Sequence, residues 1–193
     1  MIAGSTAPRR ALVRHADSLA HGAAAVAAAV KRVAPTRLRL RYWLTANPAS
    51  IIWPDVASMV LRLDHLWRAT CCEAFVREAG AAPYREWNFS PAGHWQAYDF
   101  SACRAGRRAA EVLLPAVDLG IPHPRAAVGT DNESQQALTE WMLTAEVDVP
   151  PGPLDIGVSL MAVDQHGRLD YWALAHGTGA PDFHDPHSWL ARV

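Results

Sequence analysis

Arg37-Leu38-Arg39-Leu40-Arg41-Tyr42-Trp43-Leu44 places Leu38, Leu40, Tyr42 and Leu44 at every second position, with Arg37, Arg39, Arg41 and Trp43 at the alternate ones. A repeat of two is the pleat of a β-strand. A helix would scatter the same side chains around its axis. The octapeptide therefore reads as a half-buried strand. Pro35-Thr36 in front of it is a short turn. The segment before that turn, Ala23 to Val33, is ambiguous by itself. Its alanines favour a helix, whereas Val26, Val30 and Val33 suit a strand. Beside the strand at 37–44 the economical reading is a hairpin, 24–33 with 37–46, and a helix packed on the sheet is its rival. Asn47-Pro48 ends the pattern.

Reading outward, Ile51-Ile52-Trp53 is a short apolar run closed by Pro54. Leu66 to Phe100 reads as three consecutive strands: Leu66–Arg77, Pro83–Ser90 and His94–Phe100. They are joined by the Glu78–Ala82 loop and a tight turn at Pro91-Ala92-Gly93. A short strand is expected at Ala110–Leu114 and a longer one at Ala137–Val147. Pro150-Pro151-Gly152-Pro153 is a firm break. Ile156–Val163 and Leu169–His176 form a hairpin over Asp164-Gln165-His166-Gly167. Many short strands, frequent turn signals and no convincing long helix predict an all-β fold. The expectation is an antiparallel β-sandwich of jelly-roll type. With 193 residues and no linker or repeat, one domain is expected, running from residue 11 to residue 193 after a flexible lead-in at 1–10.

Half of the residues are hydrophobic, 19% are charged and the net charge is −1. No bulk attraction to nucleic acid follows. Residues 1–45 carry eight basic side chains and one acid, Asp17, a local excess best read as a solvated face. The alanine-rich run Gly22–Val30 is too short to span a membrane and too weakly apolar for a signal peptide. Cys71, Cys72 and Cys103 form no CxxC motif, and neighbours in a strand point to opposite faces. Reduced thiols and a cytoplasmic setting are expected.

Signature loops of nucleotide enzymes, zinc peptidases and α/β-hydrolases are missing. The chemistry lies in acids on strands. Glu73 shares a face with Cys71 and Phe75; Glu86 shares one with Tyr84, Asn88 and Ser90. If the two strands pair, Glu73 and Glu86 come close together. A buried carboxylate must be paired, hydrogen-bonded or used. Three readings stay open: ion pairs with Arg68, Arg85 or Arg104; ligand contact; or acid–base work on a glycoside. Eight tryptophans add candidate stacking surfaces. Trp87, Trp95, Tyr98, Phe100 and Trp172 could form a platform, although Trp87 lies opposite Glu86 and shares no pocket with it. His176, His184 and His187, with Asp182 and Asp185, are of a type that binds zinc, in a spacing that matches no metal loop. Met59, Met142 and Met161 are expected to fill the core.

These residues resemble the bacterial DOMON-like domains, which are similar to the family nine carbohydrate-binding modules. The likeness rests on Leu66-Trp67-x-x-Thr70-Cys71-x-Glu73-x-Phe75 and on Tyr84-x-Glu86-x-Asn88-Phe89-Ser90-Pro91-x-Gly93-x-Trp95-x-x-Tyr98-x-Phe100. It extends to Tyr171-Trp172-Ala173-Leu174-x-His176 and Pro181-Asp182-Phe183-His184. It implies an antiparallel β-sandwich that binds a small ligand without catalysis. A sugar is favoured, and haem is the alternative. The expected ligand contacts are Glu73, Glu86, Asn88, Trp95, Tyr98 and Trp172, with no metal, nucleic-acid or membrane partner. A weak glycoside hydrolase built on Glu73 and Glu86 is a further alternative.

Overall fold

The structure, a computed structural model, describes residues 7–20, 22–120, 123–125 and 138–193. Its strands, in chain order, are β1 (Arg10–Ala11), β2 (Val13–Arg14), β3 (Ala23–Ala34), β4 (Arg37–Ala46), β5 (Cys71–Glu78), β6 (Tyr84–Phe89) and β7 (Trp95–Phe100). There follow β8 (Arg108–Ala109), β9 (Ala116–Leu119), β10 (His123–Arg125), β11 (Leu138–Asp148), β12 (Leu154–Val163), β13 (Leu169–Ala173) and β14 (Ala191–Arg192). They form two antiparallel sheets. The first runs β1-β3-β4-β11-β10, with β9 also on β11; the second runs β2-β13-β12-β5-β6-β7-β8, with β14 on β12. This is the expected all-β sandwich in one domain.

The hairpin of β3 and β4 forms, with Val26 opposite Leu44 and Val30 opposite Leu40. The alanines are in a strand, not a helix. In isolation they would prefer a helix. Here β4 supplies a ladder along most of the strand, with register shifts at Ala24 and Val33, and the small side chains let the sheet pack closely. Leu38, Leu40, Tyr42 and Leu44 are fully buried, as the alternation predicts. The arginines between them face solvent and meet acids of β11. Arg39 lies 2.7 Å from Glu146, and Arg37 lies 3.2 Å from Asp148. Arg9 pairs with Glu140 at 2.5 Å, and Arg14 with buried Asp170 at 2.6 Å. Of the basic residues in the first 45, Arg9, Arg14, Arg37 and Arg39 are thus paired with acids, and Arg10 and Arg32 bond main-chain oxygens.

Three expectations change. Leu66–Arg68 is a turn of 3-10 helix, and the strand begins at Cys71. Ala110–Leu114 is not a strand; pairing occurs on either side of it, in β8 and β9. At and just beyond the end of the expected lead-in, β1 pairs with β3 and β2 with β13, strands that the sequence reading did not foresee. A two-residue strand leaves no periodic signal, so only its partners reveal it. Ala137, the first residue of the expected strand 137–147, lies outside the described residues, as do residues 1–6.

The core sits between the sheets. Leu38, Leu40, Tyr42, Leu44 and Leu143 of the first sheet meet Trp87, Phe89, Ile156 and Leu160 of the second. Tyr42 reaches across and donates a 2.7 Å hydrogen bond to the main-chain oxygen of Glu73. That bond joins the first sheet to the strand that carries the site. The far face of the second sheet holds a separate cluster of Phe75, Tyr84, Tyr98, Phe100 and Trp189. A sandwich needs only one buried face per sheet. The second sheet is covered on both, because the C-terminal segment folds back across it.

Candidate functional site

On the outer face of the second sheet, register decides which side chains meet. Glu73 of β5 lies opposite Asn88 of β6 and Ser159 of β12, and Phe75 lies opposite Glu86. Glu73 and Glu86 are therefore diagonal neighbours on one face, with strand positions roughly 7–8 Å apart. Both are only 5% exposed. They form the floor of an open cavity of about 660 Å³, together with Met161 of β12 and Phe100 of β7. Trp67, from the 3-10 turn before β5, and Tyr171, from β13, stand at its sides. Pro181, Phe183 and His184 come from the C-terminal segment. Arg68, Arg104 and Arg107 stand at the mouth.

No arginine forms an ion pair with either glutamate among the described residues. Arg85 pairs with Asp99 at 2.7 Å and Arg104 with Asp182 at 2.7 Å. The floor is satisfied otherwise. The side-chain amide of Asn88 donates to Glu86 at 2.6 Å, and its oxygen accepts from the Cys71 thiol at 3.6 Å. Burial first, then the charge of Glu86, pushes the Glu73 carboxyl well above the usual carboxylate range. Burial raises Glu86 as well, while the hydrogen bond from Asn88 opposes the rise. Two acids this close and this buried do not both ionise. Burial and the neighbouring acid favour the protonated form of Glu73, while the Asn88 amide favours the charged form of Glu86. Ser159 Oγ, buried beside Glu73, makes no hydrogen bond of good geometry.

His184 closes the cavity from above. Its Nδ1 is 2.7 Å from the Tyr84 hydroxyl, which itself accepts from the Arg104 amide at 3.2 Å. We assign the tyrosine O–H as the donor to Nδ1. That assigns the ring proton to Nε2, which lies 3.7 Å from Glu86. Burial, reinforced by the positive charge of Arg104, pushes the His184 pKa down to about 4. The imidazole is neutral and offers an N–H to the cavity. Phe75, Tyr84 and Phe100 pack around its ring with centroids 5.0–5.9 Å away.

One small residue makes this cover possible. Gly157 of β12 faces the same side as Ser159, and a Cβ there would collide with the Trp189 indole. Trp189 lies flat on the bare strand, stacks on Phe75 at 5.6 Å and donates from Nε1 to the Phe183 oxygen at 2.9 Å. The C-terminal segment is pinned there, with Phe183 and His184 set over the floor.

Of the six expected contacts, Glu73, Glu86 and Asn88 come together, Asn88 as a buried support beneath the cavity. Tyr98 is on the same face but packs at its edge, donating to Asp64 at 2.8 Å with Trp67 5.5 Å away. Trp95 and Trp172 are elsewhere. Both belong to the core between the sheets, on the reverse side of the ladder from Glu86. In β7 the residue that shares a face with Glu86 is Tyr98, and in β13 it is Tyr171. The parity rule that separates Trp87 from Glu86 excludes these two tryptophans as well. Trp87, Trp95 and Trp172 all lie on the inner face, so the expected aromatic platform divides between two surfaces. Trp67, Tyr171 and Phe183 provide the aromatic walls instead. Strand parity says only that Tyr171 and Trp172 face opposite sides, and pairing through β12 selects Tyr171, whereas Trp67 and Phe183 are set by chain segments without a repeat.

The C-terminal histidines do not converge. His184 faces inward, His176 Nε2 bonds the Val13 oxygen at 2.8 Å, and exposed His187 pairs with Asp185 at 2.8 Å. No group of three metal-ligating side chains lies together among the described residues. The three cysteines are free. A second cavity, about 560 Å³, opens near Arg85, Asp99 and Arg108 and holds none of the expected contacts.

No protein-family model matches the chain, and no curated protein does. The chain is similar to a solved structure from Bacteroides uniformis whose printed description is "a putative carbohydrate-binding protein". The TM-score is 0.65 and the identity 19%, over 95% of this chain and 84% of that one. At that identity the likeness supports the fold.

Proposed function

We propose that this chain is a non-catalytic, DOMON-like ligand-binding domain whose cavity takes a small carbohydrate or sugar-containing molecule. The observation that carries the reading is the floor, where two buried glutamates without arginine partners face an open cavity between aromatic walls. Acids in that state are poised for hydroxyl groups. Glu86 accepts, protonated Glu73 donates and accepts, and His184 Nε2 donates. Trp67, Tyr171 and Phe183 offer apolar faces for the carbon skeleton. The volume is within the usual range for small-molecule sites. The similar structure from Bacteroides uniformis carries a carbohydrate-binding description, which agrees with this reading. A cytoplasmic setting belongs to the same proposal and is supported by the three unpaired thiols.

The test is a thermal-shift screen against mono- and disaccharides, nucleotide sugars and haem. A ligand at about 100 times its dissociation constant adds roughly 2.7 kcal/mol of stability. The expected result is a sugar hit that Glu73→Ala and Glu86→Ala each weaken at least about tenfold while both variants stay folded. Folded variants with undiminished affinity would overturn it.

One observation favours a second reading. Both carboxyls open to the same cavity, as glycoside hydrolysis requires. They rise from a single wall, however, instead of flanking a bond. No release of sugar from aryl glycosides is expected. Haem fits less well. Met161 and His184 line the same cavity, but His184 Nδ1 is held by Tyr84 and Nε2 carries the ring proton, so the ring as held presents no lone pair to iron.

A further inference from the structure

The mouth of the cavity differs in charge from its floor. Arg68, Arg104 and Arg107 all line it, and among the described residues Arg104 alone of the three forms an ion pair, with Asp182. Arg68 and Arg107 are exposed and form no ion pair among the described residues. Arg107 is held by ring contacts, with no hydrogen bond from its guanidinium among the described residues. Its guanidinium lies over the Trp67 ring at 5.3 Å and over the Tyr98 ring at 5.1 Å. Stacking of this kind orients the plane and leaves the N–H fork free. Arg68 follows Trp67 directly in the 3-10 turn, so both cations frame the same aromatic wall. Asp182 is bound to Arg104. Asp64 accepts from Gln96 and Tyr98 at 2.8 Å and feels the charge of Arg107 without forming an ion pair with it among the described residues. The glutamates are buried in the floor, below the exposed arginines.

From this geometry we infer that the ligand is an anionic sugar. Its carboxylate or phosphate sits at the mouth on the Arg68 and Arg107 forks, and its ring hydroxyls reach down to Glu73, Glu86 and His184. The inference rests on the sugar-binding reading above and narrows it to a class. A guanidinium pair matches two anion oxygens bidentately. A neutral hexose would leave both forks to water.

Titration calorimetry on the full chain tests this with glucose and galactose, their 6-uronates and their 6-phosphates. The expected result is that a uronate or a phosphate binds about tenfold or more tightly than the parent hexose, the effect of one charge-assisted hydrogen bond. Arg68→Gln with Arg107→Gln should remove that preference, so that hexose, uronate and phosphate bind the variant alike. Added salt should shrink the preference in the parent protein alone. Whether the uronate or the phosphate is tighter identifies the anion. Equal binding of hexose, uronate and phosphate would overturn this inference and leave the sugar reading standing. No binding of any of them, with the double variant identical to the parent, would overturn both.

Discussion

Glu73 and His184 titrate in opposite senses, and each makes a prediction about pH. His184 is neutral when folded, its pKa lowered from the ordinary 6.5 to about 4. The unfolded chain therefore takes up that proton first. The stability contributed by the neutral ring is complete above 6.5 and is lost as pH falls toward 4. At about 1.4 kcal/mol per pH unit the loss is at most roughly 3 kcal/mol. Glu73 has a folded pKa above its unfolded 4.5. Its contribution is complete below 4.5 and is lost as pH rises through the raised value. Glu73→Gln, which mimics the protonated acid, should be at least as stable as the parent near pH 8 and should flatten the alkaline decline. His184→Gln should flatten the acid decline. Urea midpoints from about pH 4 to about pH 8 check both. Unchanged pH profiles in the two variants would mean that neither side chain is held as described.

At the scale of elements, the C-terminal segment matters most. It is irregular apart from a 3-10 turn at Pro186–Ser188 and the short β14. Its position depends on Trp189 resting over Gly157. Gly157→Val places a branched side chain where the indole lies. The cost expected for overpacking is about 1–3 kcal/mol. The functional consequence should be larger, because Phe183 and His184 lose their anchor. Faster amide exchange across 181–190, with β5 and β6 still protected, is the expected pattern. Ligand affinity should fall with it. Uniform loss of protection in both sheets would instead make Gly157 a requirement of the whole fold.

The whole molecule is held by the contact between its two sheets. Trp87 is 1% exposed and packs beside Phe89 and Trp95 at centroid distances of 6.2 Å. Trp87→Ala should cost about 3–5 kcal/mol in chemical denaturation. Arg39→Ala removes a partly exposed ion pair with Glu146 and should cost less than about 1 kcal/mol. The contrast follows from desolvation. The indole leaves water completely on folding, and the guanidinium does not.

Sandwich class, the β3–β4 hairpin and the β12–β13 hairpin were all legible in the chain. Alternation of two and the turn residues are local properties that any pleated strand must obey. The same parity placed Glu73 and Glu86 each on a definite face of its strand. What parity within one strand cannot supply is the pairing between strands. Only the register of β5 with β6 made the two acids diagonal neighbours. Only the pairing of β13 through β12 put Tyr171, and not Trp172, on their side. Trp67, Phe183 and His184 reach the cavity from segments without a repeat, carried there by the fit of Trp189 on Gly157. Residue type and period determined which faces would be buried. Long-range packing determined what would stand above them, because its free energy comes from contacts between positions about a hundred residues apart, as between Tyr84 and His184.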